Sequence, residues 1–94
     1  MKNPTMSAIP EKAKDAFWAV VEDCLVEIFG LKKQDAHQKS IGLRTRVEVP
    51  QPGIFNEIFY HAEPFYVACD IAGKELDVSS YQSQYDNLLS RHNW

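Results

Sequence analysis

A proline lies inside the most aromatic stretch of the chain, and it limits what that stretch can become. Between Glu57 and Gly73, the residues Ile58, Ala62, Phe65, Cys69 and Ala72, continued by Leu76, recur at alternating steps of four and three, with Phe59, Tyr66 and Gly73 on a flanking line. That period is a helix stripe facing a core. Pro64 interrupts it. In a helix interior it would remove the bond to the Tyr60 carbonyl and clash with that turn, at a cost of about 3 kcal/mol. In a first turn the missing N–H costs nothing. The stretch is therefore expected to break, with one short helix ending near His61 and a second starting at Pro64.

The rest of the chain supplies partners for that stripe. Ala13, Phe17, Val20, Val21, Cys24, Leu25, Ile28 and Phe29 form a broad apolar band, with Lys14, Asp15, Glu22, Asp23 and Glu27 opposite. A band this wide meets two neighbours, so the first helix, opening near Pro10 and ending at Phe29, is expected to be the central pillar. Gly30 suits the positive φ of a helix exit, with Leu31 folding back. A second helix is expected from Lys33–Asp35 to Val47 or Glu48, stopped by Pro50, with Ala36, Ser40, Leu43 and Val47 inward. Within it, Gly42 either costs about 1 kcal/mol relative to alanine or lets another backbone approach closely. Arg44 to Val49 alternates weakly and admits a short strand as the competing assignment.

Pro50-Gln51-Pro52-Gly53 is a turn, Gly73 a second exit glycine, and Ser79 with Gln82 reads as the capping box of a last helix that turns Tyr81, Tyr85, Leu88 and Leu89 inward. The expected architecture is all-α: one small domain over residues 1–94 with four to five helices. They comprise a long helical hairpin, an aromatic helix broken at Pro64 and a C-terminal helix, with residues 1–8 as a flexible arm.

Charge is unevenly spread. Residues 1–30 carry −2, residues 31–49 carry +3 and residues 50–94 carry −4, for the net −3 of the chain. Half of the ten Lys and Arg fall between Lys32 and Arg46. Such a strip serves as a solvated face, as the complement of an acidic face on another copy, or as a seat for an anion. Helix, glycine and basic second helix also make a succession similar to a helix-turn-helix. Val26 and Lys39, however, stand where that motif wants a small and a packing residue. On the nucleic-acid alternative, Lys33, His37, Gln38, Lys39, Arg44 and Arg46 are the contact candidates.

Chemistry-bearing patterns are sparse. Glu57 and His61, four apart, supply at most half of a metal site, so a small-ligand or metal site around His61 is the weakest alternative and no cofactor is expected. Neither cysteine stands beside a base in a nucleophilic arrangement, and the four glycines form no phosphate loop. Enzymatic activity thus has no positive signal. Cys24 and Cys69 read as buried small hydrophobes of a reducing compartment. The most apolar stretch is too short and too charged for a membrane span, so a cytoplasmic protein is expected. The aromatic excess is the sharpest clue. Phe55, Phe59, Tyr60, Phe65 and Tyr66 exceed what one short helix buries, so some should be exposed to a protein partner or to another copy of the chain. The interface candidates are Phe59, Tyr60, Tyr66 and Trp94.

Overall fold

The computed structural model describes residues 11–48, 60 and 62–92. Among them the order is α1 (Glu11–Glu27), α2 (Lys33–Val47), α3 (Pro64–Ala72), a 3-10 turn (Val78–Tyr81) and α4 (Gln82–Arg91), with no strand. The fold is the expected all-α one. Of the run Arg44–Val49, offered as a strand, the described residues 44–48 belong to α2 and its C-cap, the Glu48 N–H closing the last turn on the Arg44 carbonyl, and Val49 lies outside the described residues. The short helix expected before Pro64, and the arm at residues 1–8, lie outside the described residues.

α1 is the pillar, packing against α2, α3 and α4. Phe17, Val20, Val21, Cys24 and Leu25 are buried as expected, and so is Trp18, which the apolar band had left out. Ala13, assigned inward, is exposed. The helix ends at Glu27, two residues early. Ile28 and Phe29 both reach the Cys24 carbonyl, and the Leu31 N–H folds back to Leu25 at 2.9 Å around Gly30, whose φ is 78°. That positive φ is one a side chain would strain.

α3 starts at Pro64, in the first turn where its missing N–H is harmless. It buries Phe65, Val67, Ala68 and Cys69, while Ala62 stays exposed. Gly73 closes it in the left-handed region with two return bonds, Gly73 N–H to the Asp70 carbonyl and Lys74 N–H to that of Cys69. This is the Schellman closure. No side chain of Glu63 caps the other end. Instead the Tyr85 hydroxyl, from α4, accepts the Phe65 N–H at 3.3 Å and donates to Glu63 Oε1 at 2.7 Å. One tyrosine thus satisfies an orphan donor of a helix distant in sequence.

The last helix corrects the capping-box expectation. Asp77, not Ser79, caps the turn, accepting from the Ser79 hydroxyl at 2.6 Å and from its N–H at 3.4 Å. Four residues of 3-10 helix follow before α4 begins at Gln82. Its Arg91 then clasps Glu27 of α1 at 2.6 and 3.2 Å, and His92 meets Asp23 at 2.7 Å.

Ser40 is the one buried polar residue of the described core, 1% exposed, and its hydroxyl has no hydrogen-bond partner. Burying a hydroxyl unpaired is unfavourable. Ser40→Ala should therefore leave stability unchanged or raise it by about 1 kcal/mol in urea denaturation. A loss of that size would show that the hydroxyl does have a partner.

Candidate functional site

Among the described residues, α1 with α2 and α3 with the loop after it each border a surface groove. The first runs between α1 and α2, about 240 Å³, floored by Trp18 and Ser40 and closed at its ends by two bridges between the helices. His37 Nδ1 lies 2.9 Å from Glu22, and the Arg44 guanidinium lies 2.7 Å from Glu11 and 3.0 Å from Asp15. Burial disfavours the Arg44 charge, but the Asp15 hydrogen bond and the Glu48 carboxylate outweigh it and hold its pKa above the ordinary value. Two nucleic-acid candidates are therefore partnered within the fold. Lys33, Gln38, Lys39 and Arg46 remain exposed along α2.

Tyr60 overturns the expectation of an exposed aromatic. It is only 8% exposed, packed edge-on to Phe17 at 5.0 Å, with Lys14 Nζ 5.4 Å above its ring. Its hydroxyl accepts the Trp18 indole N–H at 2.9 Å and donates to Glu48. Burial, then the Glu48 bond, pushes the Tyr60 hydroxyl up to about 12. The reason sequence reasoning missed this is range: the partner that draws Tyr60 inward lies 42 residues away.

The second groove, about 380 Å³, is lined by Tyr66, Cys69 and Leu76 with the carboxylates Asp70, Glu75 and Asp77. Tyr66 is 48% exposed, one of two large apolar side chains, with Ile41, that stand out from the surface among the described residues. Its ring is propped edge-on by the fully buried Phe65 at 5.6 Å. Asp70 and Glu75 pair with no cation among the described residues. The acidic surround was not read from sequence, although Asp70 stands four residues after Tyr66, one turn along the same face.

Phe59, Trp94, Glu57 and His61 lie outside the described residues. Among the described ones, no group of three His, Cys, Asp or Glu is placed to hold a metal, and no helix is long and apolar enough to cross a membrane. Both cysteines are free and buried, and burial pushes the Cys24 thiol up to about 12, which leaves it protonated and inert at neutral pH. Compared with protein-family models, curated proteins and solved structures, the chain matches none.

Three buried acids thus have raised pKa values: Cys24, Tyr60 and Tyr85, the last by burial and its bond to Glu63. A raised folded-state pKa stabilises below the unfolded value and ceases to do so as pH rises through the folded one. Stability should therefore hold to about pH 9 and fall steadily toward pH 12, in step with the ordinary values of 9.0 for the thiol and 10.0 for the phenols. Tyr60→Phe should cost about 1–3 kcal/mol at pH 7 by orphaning buried partners. It should also make the fall between pH 10 and 12 shallower by up to about 1.4 kcal/mol per pH unit. Urea midpoints measured from pH 7 to 12 check both, and an unchanged alkaline slope would count against the buried phenol.

Proposed function

We propose that the chain is a small helical interaction module, a binder and not a catalyst, which associates with a protein partner or with another copy of itself through the groove at Tyr66. The observation that carries this reading is Tyr66 itself. α3 buries five of its nine residues yet leaves its one tyrosine half out, braced from behind by Phe65, in a groove that the carboxylates Asp70, Glu75 and Asp77 also line. A rigid aromatic loses little freedom on docking, and aromatics of this kind are enriched among the residues that carry binding energy. A cytoplasmic setting agrees with two buried free thiols.

The nucleic-acid alternative has less support. Arg44 and His37 are held by Glu11, Asp15 and Glu22, which leaves Lys33, Lys39 and Arg46 as the cations of α2 open to a phosphate. The interaction reading is tested by immobilising wild-type chain, Tyr66→Ala and the control Gln38→Ala in native extract. The control should retain what the wild type retains, and Tyr66→Ala should lose it by about tenfold or more with its folding intact. Equal retention by all three removes Tyr66 from the interface.

A further inference from the structure

Gly42 is the least explained residue of α2. A glycine in a helix interior is unfavourable, so something should use the space its missing side chain leaves. Among the described residues only Arg46, from the same helix, reaches toward it. A Cβ built at Gly42 meets only the end of the Arg46 side chain, at 4.0 Å. The helical period puts Gly42 well away from Ala36 and Ser40, the buried side of α2. Among the described residues nothing else borders that space.

Its frame is basic. Lys39 and Arg46 stand three residues before and four after Gly42, so they flank it on neighbouring turns, about 10 Å apart along the axis. Both are exposed, and neither pairs with a carboxylate among the described residues. The Tyr66 groove has the complementary form: a protruding ring in a groove also lined by Asp70 and Glu75, carboxylates that pair with no cation among the described residues. Even with Lys74 beside them, residues 62–80 carry −3, while α2 carries +3.

We propose, on the reading that Tyr66 is the docking residue, that its occupant is a second copy of this chain, with Tyr66 of one copy seated on the Gly42 notch of the next and Asp70 and Glu75 facing Lys39 and Arg46. The two surfaces differ, so the contact is head-to-tail. Association then continues into rings or chains and does not stop at a symmetric dimer, and it weakens with salt because its charges lie at the rim.

Sedimentation of purified protein at low and high salt tests this with two variants. Tyr66→Ala removes the ring and keeps the notch. Gly42→Gln fills the notch and keeps the ring, and a good helix former there should leave the thermal midpoint equal or higher. The expected result is salt-sensitive self-association of the wild type, loss of about tenfold or more in each variant alone, and a 1:1 heterodimer when the two are mixed. A stabilising substitution that abolishes association cannot act through the fold. The proposal is overturned by a monomeric wild type at low salt, by Gly42→Gln associating as the wild type does, or by a mixture that stays monomeric. Salt-sensitive binding of random duplex DNA, removed by Arg46→Glu, would assign the α2 face to a polyanion and overturn it equally. If the wild type is monomeric while Tyr66→Ala still loses its captured partner, the second copy is refuted and the Tyr66 interface stands. If nothing depends on Tyr66, both fall.

Discussion

The hydrogen bond from the Trp18 indole to the Tyr60 hydroxyl is the interaction on which much of the molecule depends. The same hydroxyl passes its proton toward Glu48, the residue that closes α2, and Glu48 in turn stands 3.6 Å from Arg44, which is bound to Glu11 and Asp15 at the start of α1. Glu48 opens the connection between α2 and α3, and Tyr60 stands four residues before α3 begins. Their bond closes that connection onto α1, so the entropy of closing the loop is offset within a buried aromatic cluster. The approach to α3 is thereby fixed before α3 begins.

α3 is fixed again at its start by Tyr85 and at its end by the return bonds around Gly73. Between these anchors its buried side, led by Phe65, sits on α1 with the rings of Phe29, Tyr81 and Tyr85 around it. What the helix leaves outside is Tyr66. The exposed aromatic is thus carried by one of the most firmly held pieces of the described chain, a condition under which binding costs little reordering. Elsewhere in the chain, α2 shows the opposite case, a helix with a small buried side and a glycine whose space, among the described residues, only the Arg46 side chain borders.

Local signals were legible in the sequence because their causes are local. Pro64 opens a helix since its ring and missing N–H permit little else, and Gly30 and Gly73 leave their helices at positive φ. The band from Phe17 to Leu25 needed only the helical period. The misreadings have non-local causes. Tyr60 looked like surface until Trp18, 42 residues earlier, supplied a partner for its hydroxyl. Trp18 itself fell outside the band because α1 is covered on more than one side. Ser79 has the sequence of a cap, but the Asp77 carboxylate, two residues earlier, takes both the Ser79 N–H and the hydroxyl that would have done the capping. Of the candidate interface, Tyr66 was legible as surplus aromatic surface. Its carboxylate frame, drawn from α3 and from the loop after it, required the chain path past Gly73.

The contact between Tyr66 and Gly42 of another copy is the most direct claim, and isotope-filtered NMR measures it without any substitution. In a sample mixing labelled and unlabelled chain at low salt, intermolecular NOEs should connect the Tyr66 ring to the Gly42 α-protons and fade as salt is raised. NOEs from Tyr66 to Tyr66 across a symmetric contact, or an associated sample with none reaching Gly42, would contradict it.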